Sequence, residues 1–192
     1  MTSFSRLLPL VALAVLPAWN AFAPPFTVAS GSSVRVSGTS NVHDWACSAT
    51  RVTGSMQGEV TGGALTGVSA MSVTVPVAAL DCRNGTMNGN LRRALNASAN
   101  PNIRFALSGA TVAPAAGGKV TVSGNGQLTV NGQTKPVRIS ATGEAKTGGS
   151  FRFTGSLPVV MSEFGVTPPV AMMGAMRTGD RVTVAYDIVI QP

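Results

Sequence analysis

Apolar and polar residues alternate along most of this chain with a period of two. In MSVTVPV, Met71, Val73, Val75 and Val77 fall on one side and Ser72, Thr74 and Pro76 on the other. That is the spacing of a strand with one buried face. The period recurs in NIRFAL (Ile103, Phe105, Leu107), KVTVSG (Val120, Val122), GQLTVNG (Leu128, Val130) and PVRISA (Val137, Ile139, Ala141). It continues in SFRFTGSLPV (Phe151, Phe153, Leu157, Val159) and RVTVAYDIVI (Val182, Val184, Tyr186, Ile188, Ile190). With SSVRVSG and HDWACSATRVTG near the start, the series reaches about eight strands.

Asn131-Gly132 between two such runs is a two-residue hairpin signal, because both positions accept positive φ. Adjacent strands are therefore expected to be antiparallel. Two segments break the period. In TMNGNLRRALNASANP, Met87, Leu91, Ala94 and Leu95 recur at helical spacing; Thr86 is placed to cap the start, Asn100-Pro101 stops it, and Arg92 and Arg93 fall on the outer side. PPVAMMGAM, opened by Pro168-Pro169, reads as a second short helix or an irregular lid. The fold class is all-β, with one or two short helices. Strands of this number leave exposed edges unless the sheet doubles over or closes, and a closed eight-stranded barrel has room for packed side chains or one small ligand.

The first residues alter the picture of where the chain works. MTSFSRLLPLVALAVLPAWNAFA has one basic residue, Arg6, then an apolar run from Leu7 to Ala18 and the small-residue pattern Ala21-Phe22-Ala23. This is the layout of a signal peptide spanning residues 1–23, removed after Ala23. Residues 24–192 then form a single domain, exported to the periplasm or secreted. The apolar run is shorter than the roughly 20 residues of a membrane-spanning helix, and no later segment reaches that length.

In an oxidising compartment an even cysteine count points to a pair, and the two cysteines here are Cys47 and Cys82. Closing that loop contributes about 4 kcal/mol in the chain-entropy account. The formal net charge of +7 favours contact with anionic surfaces. The bases are scattered, however, and no basic stripe interleaved with aromatics is present, which argues against nucleic-acid binding.

SNVHDWACS, residues 40–48, gathers the single histidine, an aspartate, a tryptophan and a cysteine. On an extended strand His43 and Asp44 point to opposite faces, so Asp44 cannot orient His43 as in a catalytic triad. His43, Trp45 and Cys47 share a face, which reads as a packed strand. No G-x-S-x-G nucleophile elbow occurs. One histidine and dispersed carboxylates do not make a zinc site. Met161, Met172, Met173 and Met176 could offer thioethers to Cu(I), but packing or an adaptable apolar rim is the plainer reading. Glu163 and Asp180 do not establish a glycosidase pair, whose separation a sequence cannot show. Arg83, Arg92 and Arg93 read as a solvated helix face, with anionic headgroups or an acidic partner as the alternative. No catalytic residue, metal or cofactor is assigned.

Four segments in order, GTSNVHDW, LRRALNASANPNIRF, GQLTVNGQTKPV and FGVTPPVAMMGAMRTGDRVTVAYDIVI, resemble the YceI-like proteins from about Val34 to Ile190. The resemblance implies an antiparallel eight-stranded lipocalin-like barrel, an export signal and, in some members, an isoprenoid chain held inside. It transfers no individual ligand contact. The cysteine pair is not general to that family and rests on the compartment alone.

The function expected is therefore binding. The chain would be a carrier for an apolar or amphipathic small molecule, an isoprenoid-like lipid, inside the barrel. The expected contacts are the large interior side chains Phe105, Leu128, Phe151, Phe153, Phe164, Met172, Met173 and Tyr186, with the lipid's polar head near Arg177 or Arg181. The alternative is a filled barrel acting through surface contacts with another protein.

Overall fold

The structure, a computed structural model, describes residues 25–171 and 175–192. The signal-peptide reading, Met172 and Met173 fall outside these residues. Twelve strands follow in chain order: β1 Phe26–Val28, β2 Ser33–Ser40, β3 Trp45–Ala49, β4 Thr53–Thr61, β5 Ala64–Pro76, β6 Asn102–Leu107, β7 Thr111–Pro114, β8 Val120–Val130, β9 Gln133–Ala145, β10 Phe151–Val160, β11 Val170–Ala171 and β12 Met176–Gln191. The helix α1, Gly85–Ala94, lies between β5 and β6.

Several of these strands are halves of longer ones. The β2–β3 hairpin, with Val34 opposite Ala49, continues as β1–β4, with Thr27 opposite Ser55. Likewise β6 and β7 both pair with β8. Joining the halves gives eight antiparallel strands, each paired with its neighbours in sequence. The ring closes because β12 pairs with β2 along Asp187 to Thr178 and with β1 at Ile190 and Gln191. No edge is left between first and last strands, which is how such a sheet avoids open pairing.

Where β12 passes from β2 to β1, a bulge at residues 29–32 is held by Ser32. Its buried hydroxyl donates to the Ala29 carbonyl (2.8 Å) and accepts from the Val189 N–H (3.0 Å). The alternation read from the sequence holds around the ring. Val36, Val73, Phe105, Leu128, Ile139, Phe153 and Val184 face the interior. Arg35, Thr74, Arg104, Arg138 and Arg152, on the intervening positions, face outward, the reverse of a barrel whose outer wall meets lipid.

Several expectations are corrected. KVTVSG and GQLTVNG are two parts of one strand, β8, because Gly124 and Gly126 between them keep an extended, paired backbone. The helix starts two residues earlier than a Thr86 cap requires: Asn84 is the cap, its Oδ1 accepting the Met87 N–H (3.0 Å). The described part of PPVAMMGAM is not helical. Val170 and Ala171 pair with Arg177 and Met176 as a short hairpin, β11–β12. Asn131 and Gly132 do take positive φ, 49° and 74°, in the β8–β9 turn.

Candidate functional site

The barrel interior is not filled. It holds a cavity of about 530 Å³ that opens at one end and lies within the roughly 300–1,000 Å³ of typical small-molecule sites. The turn 41–44, α1, the β8–β9 turn and the β10–β12 connection all gather at the open end. The opposite end is packed: Phe26 meets Phe151 edge-to-face, with ring centroids 6.0 Å apart, and Met56 and Ile190, their strand partners, are buried beside them.

The lining is divided by depth. Val68, Val73, Phe105, Leu107, Val122, Leu128, Phe153, Val184 and Ile188 make an apolar interior, while the polar Ser40, His43, Asn84, Thr86, Asn90 and Thr178 are grouped at the mouth beside the apolar Trp45, Pro169, Val170 and Met176. The only phenol of the chain, Tyr186, is the polar side chain set deeper in the wall. Its hydroxyl donates to the Ser140 carbonyl (2.9 Å), and burial raises its pKa above the ordinary 10.0.

The space survives because the large rings lie across glycines. A Cβ on Gly155 would come within 2.6 Å of Tyr186 Cζ, one on Gly126 within 2.6 Å of Phe105 Cζ, one on Gly143 within 2.9 Å of Phe153 Cε1, and one on Gly38 within 2.7 Å of Trp45 Cζ2. Each ring therefore lies against the sheet, where a side chain would otherwise stand, and leaves the lumen clear.

The mouth is held by polar ties. Cys47 and Cys82 form the disulfide, and both sulfur residues border the cavity. Next to it, Ser48 and Asp81 exchange backbone hydrogen bonds, each 2.9 Å. The Asp81 carboxylate accepts from the Arg83 N–H (2.9 Å) and Asn88 Nδ2 (2.8 Å). The Asn88 bond, first, and then the Arg83 N–H hold its pKa below the usual value. Asn131 Nδ2 donates to the Gly165 carbonyl (3.1 Å), tying the β8–β9 turn to the connection after β10. Asp180 accepts the Ser162 N–H (2.8 Å) and the Ser162 hydroxyl, which lower its pKa. Asp180, on β12, is thereby engaged with Ser162 in the connection after β10.

Of the expected contacts, Phe105, Leu128, Phe153, Phe164 and Tyr186 line the cavity. Phe151 is buried but is absent from the lining, because it belongs to the packed end against Phe26. Arg177 and Arg181 are exposed, on positions alternating with the inward Met176, Thr178 and Val182. Neither is among the described residues that line the cavity. His43, Trp45 and Cys47 share the inner face, yet His43 is an exposed rim residue and not a packed strand residue. Its Nδ1 contacts its neighbour's backbone, Asp44 O (2.9 Å), and not a carboxylate. Sequence reasoning missed Met71, Ile103, Leu157 and Leu91 as wall residues, although the period of two had placed the first three on the inner face.

A model of the YceI-like domain matches residues 27–190. No curated protein matches the chain. Among solved structures, BcnA of Burkholderia cenocepacia superposes with a TM-score of 0.65 at 21% identity, over 83% of this chain and 96% of that one. A polyisoprenoid-binding domain from Saccharophagus degradans, implicated in plant cell wall breakdown, gives 0.66 at 9% identity, over 86% and 97%. A YceI protein of Campylobacter jejuni gives 0.53 at 14% identity, over 72% and 79%. At these identities the likeness is one of fold.

Proposed function

Since the chain belongs to the YceI-like domain family, we propose that it is an exported carrier that holds one isoprenoid or similar amphipathic lipid in its barrel, tail inward. The observation that carries this reading is the division of the cavity, with apolar walls in the depth and polar side chains at the mouth. Such a site suits a molecule with one apolar and one polar end. Burying ten CH₂ groups contributes about 8 kcal/mol before association and ordering costs are subtracted, which leaves room for micromolar binding.

The polyisoprenoid-binding relative from Saccharophagus degradans shares this fold and supports the ligand class. The Cys47–Cys82 disulfide supports export, since such bonds persist in oxidising compartments. The reading is of a binder and not a catalyst. The polar groups lining the cavity stand at its rim or, like Tyr186, are engaged with backbone, and none is arranged as nucleophile and base. Mass spectrometry of organic extracts from the purified exported protein tests it. One lipid of an apolar chain and a polar head, present in near-stoichiometric amount, is expected. Protein that carries none and takes up none from an added isoprenoid would overturn the reading.

A further inference from the structure

We propose that the mouth of the barrel docks on an anionic lipid surface, with Val42 and Val170 set into the headgroup layer. Three large hydrophobic residues are exposed among the described residues; two of them, Val42 at 59% and Val170 at 63%, stand at this mouth. Val42 lies in the turn 41–44 and Val170 in β11, and the two segments are fastened together. The Asn41 N–H donates to the Arg177 carbonyl (3.1 Å), Asn41 Oδ1 accepts the Arg177 N–H (2.8 Å), and Asn41 Nδ2 donates to the Ala175 carbonyl (2.8 Å). Arg177 is in turn the strand partner of Val170. The two valines thus form one fixed apolar edge beside the cavity, which Val170 and the neighbour of Val42, His43, both line.

Charge selects the partner. At the packed end three cations, Lys119, Lys146 and Arg152, are matched by three anions, Glu59, Glu144 and Asp187, with Lys146 paired to Glu144 and Arg152 to Asp187. Of the formal +7 of the sequence, one charge belongs to Arg6 in the leader. The rest therefore falls on the middle and mouth of the barrel. There α1 exposes Arg92 and Arg93. Of the four carboxylates on that side, Asp44, Asp81, Glu163 and Asp180, two are engaged by N–H donors of the same chain. Apolar side chains flanked by cations fit a bilayer with anionic headgroups. A lipid leaving the bilayer would then enter the cavity end-on without crossing water. The proposal rests on the carrier reading for its purpose, but docking itself needs no bound lipid.

Co-sedimentation of the exported protein with phosphatidylcholine vesicles, with and without phosphatidylglycerol, tests it. Binding is expected only with the anionic lipid and should fall as salt screens the charges. Arg92→Glu with Arg93→Glu should weaken it about five-fold or more per arginine. Val42→Asp with Val170→Asp should abolish it at an unchanged melting temperature. Trp45 gives a second measure that needs no variant. Once the leader with Trp19 is removed it is the sole tryptophan, and it lines the mouth. Brominated anionic vesicles should quench its fluorescence, and added salt should restore it. Absence of binding to any vesicle would overturn the proposal and favour an acidic protein as occupant. Binding indifferent to both valines, without quenching of Trp45, would overturn it by placing the contact on another face. Lipid in the extracts of a protein that ignores vesicles leaves the carrier reading standing and ends this one; docking by a protein that never holds lipid does the reverse.

Discussion

The Tyr186 ring lies across Gly155 on the neighbouring strand, and its hydroxyl reaches one strand further to the Ser140 carbonyl. A methyl group at position 155 would overlap both the ring and that carbonyl, which belongs to the backbone and cannot withdraw. Gly155→Ala should therefore expel the ring into the lumen. Overpacking of this kind costs about 1–3 kcal/mol. A lowered melting temperature together with reduced lipid content is expected, and Tyr186→Ala in the same chain should restore capacity. Equal lipid content in wild type and Gly155→Ala would show that the glycine does not keep the cavity open.

Tyr186 is also the only tyrosine, so phenolate absorbance reports it alone. Its pKa is raised from 10.0 by burial. A raised folded-state value means that the native form holds its proton longer than the unfolded chain. The associated stability is present in full below the unfolded value and is lost as pH rises from there through the folded value. The native protein should titrate above its denatured form, and alkaline solution should lower the melting temperature. Coincident native and denatured titrations would contradict the burial of the phenol.

Much of this fold can be read from the sequence because strand identity and facing are local properties. Val73, Phe105, Phe153 and Val184 announce the inner wall through a period of two, and Asn131-Gly132 announces its turn. The glycines paired with rings were not legible. Gly38 meets Trp45, Gly143 meets Phe153 and Gly155 meets Tyr186 only through cross-strand register, which the period along a single strand does not reveal. Phe151 lies outside the cavity lining for a related reason. It alternates in phase with Phe153 but lies two residues nearer the packed end, and depth along a barrel is set by which strands surround a position. His43 looked like a strand residue because the extended pattern after it begins at Trp45. The turn that exposes it is set by Ser40, whose Oγ donates to the His43 carbonyl (2.7 Å).

The disulfide joins β3 to the segment leading into α1. Thiol labelling of the denatured, unreduced protein should find no free cysteine. Cys47→Ala with Cys82→Ala should lose about 4 kcal/mol of unfolding free energy in the chain-entropy account, since the loop spans 35 residues. Denaturant titration measures the difference. An unchanged midpoint would mean that the hydrogen bonds around Ser48, Asp81 and Asn88 hold the crossover without it.

Asp180 links pH to the mouth. Its hydrogen bonds from Ser162 depress its pKa below 3.8, so their stabilising effect is present above the ordinary value and is lost as pH falls through the depressed one. Asp180→Asn keeps the size of the side chain but removes the charge. The variant should melt below wild type at neutral pH, with the gap closing in acid. A gap that is independent of pH would show that Asp180 contributes through shape alone.

Phe153 stands on the cavity wall in β10, across from Gly143 and buried. Phe153→Glu would set a carboxylate in an apolar interior, where an unpaired charge is costly. It should eliminate retained lipid, and circular dichroism must show whether the barrel survives. Leu157→Trp removes that ambiguity. Leu157 lies four residues nearer the mouth on the same face and is only partly buried, so a larger apolar ring there fills the lumen without burying charge. The expected result is a folded Leu157→Trp protein whose extracts hold markedly less lipid than wild type. Because the substitution adds apolar surface, a merely hydrophobic association with the outside of the barrel would be unchanged or strengthened. Loss of lipid thus distinguishes an occupied lumen from surface adhesion, and undiminished lipid in both folded variants would remove the lumen as the binding site.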